Sequence, residues 1–244
     1  MNIIKVQDYD EMGSVTADYV SEKIQDNPEM TLGLATGSTP KSTYKHLIEA
    51  HQKGTSFKHI TTFNLDEYVG LKPNDPNSYH YYMNKFFFQH IDIPSEKAHL
   101  PNGHSRNISQ ECEEYEKKIK SHMIDLQILG IGANGHIGFN EPGTSFESNT
   151  HVVELADSTR RANARFFSSL EEVPTHAITM GIASIMSSKE IVLLVSGEAK
   201  SEALERLLSG EEPNESFPAS ILRSHPHVTI IADKEALMGT GIKL

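Results

Sequence analysis

Short apolar, β-branched runs alternate along the whole chain with longer stretches whose apolar residues recur at helical spacing. The runs with strand character are Asn2–Val6, Thr31–Ala35, Ile60–Leu65, Leu126–Ile131, His176–Met180, Ile191–Val195 and Val228–Ala232. Helical patterns fall between them at about Tyr9–Gln25, Pro40–Gln52, Ser78–Gln89, Ser109–Ser121, Thr159–Phe167, Gly181–Ser187, Lys200–Leu208 and Pro218–Arg223. Strand-then-helix repetition is the layout of βα units, so it predicts an α/β fold: a single three-layer α/β/α sandwich on a Rossmann-like, mostly parallel sheet. No Gly, Ser or Pro run is long enough to be a linker and no internal repeat is visible, so residues 1–244 read as one domain. Phe139–Ser158 is the longest segment without a clear period. With Gly143, Thr144 and Ser145 inside it, a lid over about residues 139–175 is expected.

Composition narrows the class. At 244 residues and 37% hydrophobic the chain buries a substantial core. No stretch approaches the roughly 20 apolar residues of a membrane span, and Met-Asn-Ile-Ile-Lys-Val-Gln lacks the layout of a signal peptide. The expectation is a soluble cytoplasmic protein with no membrane partner. The single cysteine, Cys112, lies in a charged run and excludes both an internal disulfide and a cysteine metal cluster. A net charge of −11 argues against nucleic acid as a partner. Any anionic small substrate must then be held by local donors against an unfavourable overall field.

In open α/β sheets ligands bind beyond the carboxyl ends of the strands. Four of those ends are chemically unusual: Ala35-Thr36-Gly37-Ser38-Thr39-Pro40, Asn64-Leu65-Asp66-Glu67-Tyr68, Gly132-Ala133-Asn134-Gly135-His136 and Ser196-Gly197-Glu198-Ala199-Lys200. The fold predicts that they meet in one cleft. Thr36, Gly37, Ser38 and Thr39 combine a flexible glycine, hydroxyls and a helix N-terminus, with Pro40 at the first helical position and Ser38 or Thr39 as cap. That suits an anion, and without a Gly-Lys-Ser/Thr ending it suits a phosphate monoester better than a nucleotide. The same loop also reads as an ordinary capped helix. Gly130, Gly132 and Gly135 match a dinucleotide fingerprint on spacing, but the chain continues through Gly138, Pro142 and Gly143, where no helix starts.

Asp66 and Glu67 alternate, so only one faces the cleft, and Asp66 is the choice. A carboxylate at a strand end, once dry, can take a C–H proton next to a carbonyl, although it could equally be a turn residue. His136 lies in a glycine-dense turn with Asn134 before it and Glu141 after it, both within reach of the imidazole. A partner on one ring nitrogen would fix the tautomer and leave the other nitrogen for acid–base work. Arg165 and Lys200 are the basic candidates for an anion, each also readable as a solvated surface charge. No metal-ligand spacing occurs among the 13 histidines.

Taken together, Leu32-Gly-Leu-Ala-Thr-Gly-Ser-Thr-Pro40, Phe63-Asn-Leu-Asp-Glu-Tyr-Val-Gly70, Gly130-Ile-Gly-Ala-Asn-Gly-His-Ile-Gly-Phe-Asn-Glu-Pro142 and Asp157-Ser-Thr-Arg-Arg-Ala-Asn-Ala-Arg-Phe-Phe167 resemble, in order, the signatures of the glucosamine-6-phosphate deaminases. The resemblance implies Asp66 as the base moving a proton between C2 and C1, and His136 with Asn134 and Glu141 opening the sugar ring. It implies that Thr36, Gly37, Ser38, Thr39, Arg165 and Lys200 hold the phosphate, and that no metal or cofactor takes part. Glucosamine 6-phosphate would give fructose 6-phosphate and ammonia.

This sequence departs from the family pattern twice. Asn134 stands where many members carry aspartate, which leaves Glu141 as the only carboxylate beside the histidine or shifts the pH profile. Ser148-Asn-Thr-His-Val-Val-Glu-Leu155 has no Lys or Arg where hexameric members bind an allosteric sugar phosphate. A monomer or small homo-oligomer is therefore expected rather than an allosteric hexamer. The competing readings are a 6-phosphogluconolactonase-like hydrolase, which would not need Asp66, and a non-catalytic sugar-phosphate sensor, which would need none of Asp66, His136 and Glu141 in acid–base roles. An isomerase that keeps the nitrogen differs only in the fate of the imine.

Overall fold

The structure is a computed structural model that describes residues 1–241 apart from 165, 166 and 211 and, within that range, side chains other than those of 158, 162 and 163. In chain order the elements are β1 (Asn2–Val6), α1 (Tyr9–Asp26), β2 (Thr31–Leu34), α2 (Lys41–Gln52), β3 (Thr61–Asn64), β4 (Asp66–Tyr68), α3 (Tyr79–Phe86), β5 (Ala98–His99), α4 (Ile108–His122), β6 (Leu126–Gly130), β7 (His151–Glu154), α5 (Asp157–Asn163), β8 (His176–Thr179), α6 (Ile182–Met186), β9 (Glu190–Val195), α7 (Ser201–Leu208) and β10 (Val228–Asp233). Seven strands form one parallel sheet in the order β1-β10-β9-β6-β2-β3-β5.

Residue alternation along the central strands explains the three layers. On β9, Ile191, Leu193 and Val195 pack with Ile119 of α4, Ile185 of α6 and Leu204 of α7, whereas Val192 and Leu194 pack with Met12 of α1, Leu47 of α2 and Met83 of α3. From Ile191 to Val195 the strand is apolar because both its faces are covered. Each such side chain, fully buried, contributes about 1.5–3 kcal/mol relative to exposure. The predicted sandwich is the observed one.

Strand order places the site. From β2 the chain moves outward through α2 to β3 and β5, then returns through α4 to β6 on the other side of β2 and continues to β9 and β10. The direction of winding reverses between β2 and β6, so a crevice opens at their carboxyl ends. At the end of β3 the chain leaves the sheet. The Leu65 N–H still donates to the Leu34 carbonyl, but β4 pairs antiparallel with β8, and β8 with β7, in a separate three-stranded sheet.

This second sheet corrects the sequence reading at two points. His176–Met180 was expected among the main strands; β8 instead belongs to the small sheet, paired with β4 and β7. The segment Phe139–Ser158 carries β7 although its sequence shows no run of strand character. The alternation of half-buried and exposed positions through His151–Glu154 is a two-residue period too short to stand out. Ser78–Gln89 divides into α3 and a 3₁₀ turn at Phe88–His90, and the helical pattern at Pro218–Arg223 is a 3₁₀ segment, Pro218–Ser224. No helix among the described residues is long and apolar enough to cross a membrane.

Candidate active site

The crevice at the carboxyl ends is a cavity of about 720 Å³. It is lined by Thr36, Gly37, Ser38, Thr39, Asp66, Asn134, His136 and Lys200, so the four chain-distant clusters do converge. Arg165 lies outside the described residues. Its neighbour Arg160 is engaged elsewhere, donating from Nη2 to the carbonyls of Leu170 and Val173 at 3.1 Å each.

The phosphate-type loop is built differently at its helix end from what the sequence suggested. Pro40 occupies the N-cap and α2 begins at Lys41, with no side-chain cap from Ser38 or Thr39. The cap comes from Tyr9 on α1. Its hydroxyl donates to the Ser38 carbonyl at 2.6 Å and accepts from the Ser42 N–H at 3.0 Å, which leaves the hydroxyls of Ser38 and Thr39 free of that duty. Gly37 has φ +91°, in the region that disfavours a side chain, and its carbonyl accepts from the Tyr82 hydroxyl at 2.5 Å. Lys200 follows a turn held by Asp233, whose carboxylate accepts from the Gly197 N–H and the Ser196 hydroxyl. Burial lowers the Lys200 pKa below the ordinary lysine value, and no carboxylate among the described residues pairs with it. A half-buried ammonium beside a loop and a helix N-terminus has the chemistry to hold an anion.

Asp66 sits where β3 gives way to β4. It is 7% exposed, and burial first, then the charge of adjacent Glu67, raises its pKa from 3.8 to about 8. Gly138, with φ +58°, lets the facing loop pass so close that a Cβ there would lie 3.7 Å from Asp66 Oδ2 and 3.0 Å from Thr179 Oγ1.

Across the cavity, His136 Nδ1 is 2.8 Å from Asn134 Oδ1, which also accepts from the His136 backbone N–H at 3.2 Å. The Asn134 amide in turn donates to Glu141 Oε2 at 2.7 Å, and the other Glu141 oxygen accepts from the Thr159 hydroxyl at 2.7 Å. Burial raises the Glu141 pKa, but the nearby His136 imidazole, with Nδ1 3.6 Å from Oε2, and the hydrogen bonds from Thr159 and Asn134 outweigh it and bring it down to about 2. Because Asn134 Oδ1 only accepts, the imidazole proton resides on Nδ1 and Nε2 is left as the basic nitrogen. Gly132 is required by this arrangement: a Cβ at that position would meet the ring at 2.3 Å.

Sequence reasoning missed four supports of this site: Tyr9, Tyr82, Asp233 and Thr159. The first three reach their partners across chain-distant elements, which no local pattern reveals. Thr159 stands inside the conspicuous Asp157–Phe167 stretch, but its partner, Glu141, lies 18 residues away. Among the described residues no group of three His, Cys, Asp or Glu side chains is placed to hold a metal ion.

An α/β sandwich with an anion loop at its winding reversal and two separated acid–base groups is the architecture of an enzyme acting on a phosphorylated small molecule. Residues 7–231 match the family described as glucosamine-6-phosphate isomerases/6-phosphogluconolactonase, and the chain belongs to that family. A relative named glucosamine-6-phosphate deaminase from Halalkalibacterium halodurans is 59% identical over 99% of both chains. Glucosamine-6-phosphate deaminase 1 of Bacillus subtilis is 52% identical over 97% of this chain and 98% of its own. Among solved structures, a monomeric glucosamine-6-phosphate deaminase superposes with a TM-score of 0.95 at 51% identity, covering 97% of this chain and 99% of that one. A 6-phosphogluconolactonase from Trypanosoma cruzi reaches a TM-score of 0.81 at 21% identity over 99% and 97% of the two chains, a likeness of fold.

Proposed function

We propose that this chain is a glucosamine-6-phosphate deaminase, converting D-glucosamine 6-phosphate and water to D-fructose 6-phosphate and ammonia. The observation that carries the reading is the pairing, in one cavity, of a buried carboxyl of raised pKa with a histidine whose basic nitrogen is left free. The high identity to deaminases over nearly the whole chain supports the same substrate.

In this reading the Thr36–Thr39 loop, Lys200 and Arg165 hold the phosphate and fix the sugar between the two acid–base groups. His136 Nε2 takes the proton of the anomeric hydroxyl and returns one to the ring oxygen, which opens the hemiacetal to an aldehyde. The proton acquired by the imidazole is stabilised through Asn134 by the Glu141 carboxylate. Asp66 then removes the C2 proton while the C1 carbonyl oxygen takes a proton from the C2 ammonium, giving an enolamine across C1 and C2, and Asp66 delivers its proton to C1. The product is an iminium at C2, which water hydrolyses to the ketone with release of ammonia. Asp66 must be ionised to start, and the ammonium on C2 favours that form as substrate binds.

The same reading makes the enzyme a cytoplasmic monomer or small homo-oligomer of amino-sugar catabolism without an allosteric hexamer. The monomeric deaminase of closely similar structure supports this. The decisive experiment incubates the purified chain with glucosamine 6-phosphate and a chelator and follows ammonia and fructose 6-phosphate together. Equal amounts of both are expected. Hydrolysis of 6-phosphogluconolactone without ammonia release would overturn the reading.

A further inference from the structure

One buried ionisable group beside the cleft has no part in this chemistry. Glu67 is 1% exposed and does not line the cavity. Both its oxygens are nonetheless saturated. Oε1 accepts from the backbone N–H of Tyr68 at 2.8 Å and of Tyr79 at 3.0 Å, while Oε2 accepts from the His80 N–H at 3.0 Å and lies 2.8 Å from His80 Nδ1. Tyr79 and His80 open α3, whose local cap, Ser78, accepts only from the Tyr81 N–H. A strand side chain thus satisfies two N–H groups that the helix cannot satisfy itself. A carboxylate this deeply buried is tolerated because four donors replace its water.

One turn further along, α3 reaches the phosphate loop through the Tyr82 hydroxyl, which donates to the Gly37 carbonyl. A continuous connection therefore runs from Asp66 through its neighbour Glu67, along α3, to Gly37. We propose that Glu67 is a positioning residue whose buried carboxylate pins α3 to the strand carrying Asp66 and, through Tyr82, sets the spacing between the proton-transfer carboxyl and the phosphate loop. The inference rests on Asp66 being the base.

Its charge has a second effect. The groups facing Asp66 are Tyr44 of α2, Tyr79 of α3, Tyr115 of α4, His136 and Lys200 from the cavity, and Glu67 on its own strand. Burial holds the three phenols neutral. After burial itself, Glu67 is the charge that holds the Asp66 pKa up. A neutral residue at 67 lowers it and lets the base work at lower pH. Removing the His80 imidazole, whose Nδ1 lies 2.8 Å from Glu67 Oε2, takes away a hydrogen-bond donor to that carboxylate and acts in the opposite direction.

The test measures kcat and KM against pH for the full chain and for Glu67→Gln and His80→Ala. In Glu67→Gln the introduced amide would turn its own N–H groups toward at least one of the donors, so kcat should fall on the order of ten- to a hundredfold. The acid limb of the kcat profile should move down by about one pH unit. His80→Ala, at a partly exposed position that keeps all three backbone bonds, should move that limb up by a smaller amount. A loss of kcat with an unmoved limb, or shifts of the same sign in both variants, would overturn the inference and leave the deaminase reading standing. If Glu67→Gln does not fold, His80→Ala decides, an unmoved limb counting against. An unmodified chain that releases no ammonia, or an Asp66→Asn variant that still does, removes the functional reading and this inference with it.

Discussion

Asp66 shows most clearly how one side chain serves chemistry at a cost to folding. A carboxyl whose pKa is higher folded than unfolded holds more protons when folded, so its destabilisation is absent below the unfolded value of 3.8 and accumulates as pH rises to about 8. At about 1.4 kcal/mol per pH unit, the penalty is on the order of 5 kcal/mol at alkaline pH. Asp66→Asn should therefore abolish turnover by roughly 10²–10⁴-fold while raising the thermal midpoint above pH 8, as read by calorimetry at two pH values. Glu141 has the opposite sign. Its folded pKa is depressed to about 2, so its contribution is full above 4.5 and is lost as pH falls toward 2. Asn134→Asp should place a second carboxylate against the imidazole, favour imidazolium and move the acid limb of activity upward, measured as kcat/KM against pH. Residue type and spacing were enough to single out Asp66, Asn134, His136 and Glu141. The hydrogen-bond order among the last three was not legible, because it depends on a turn that only Gly132 and Gly135 allow to close.

At the scale of elements, the cleft is made of strand ends and the turns that leave them. Replacing Gly132 by alanine should push the His136 ring aside and lower kcat on the order of a hundredfold, with circular dichroism unchanged, since the clash is confined to the turn. Tyr9→Phe removes the hydroxyl that links the Ser38 carbonyl to the first turn of α2. It should raise KM for the phosphorylated substrate several-fold with a smaller effect on kcat, by loosening the loop and not the base. Six of the seven strands expected from apolar runs lie in the main sheet, because buried parallel strands are apolar on both faces and stand out. β4, β5 and β7 were missed. Two or three residues of strand cannot establish a period, and β4 is read in sequence as the chemically loaded end of β3, which it also is.

At the scale of the molecule, a protein of net charge −11 gathers Lys41, Lys85 and Lys200 around the cavity in which the proposed phosphate would bind. Lys200→Gln should raise KM about ten- to a hundredfold and leave the pH profile in place, which separates holding the phosphate from moving protons. Light scattering should give a monomer or small homo-oligomer, and saturation by glucosamine 6-phosphate should be hyperbolic whether or not N-acetylglucosamine 6-phosphate is added. Sigmoidal kinetics would contradict the proposed assembly. The overall sandwich was legible from alternation alone. That the chain diverts after β3 into a second sheet was not, because the partners of β4 lie more than a hundred residues further along.

The pairing of β1 with β10 has a consequence for how the protein is made. The first strand of the described chain to leave the ribosome has the last as its sole partner in the sheet. Until β10 has been synthesised, β1 waits on α1 with its hydrogen-bonding edge open, and the β9 side of the growing sheet stays open with it. The β1 edge of the sheet is thus paired only once β10 has been made. Such a contact is slow to form and leaves a strand edge available for mispairing in the interval.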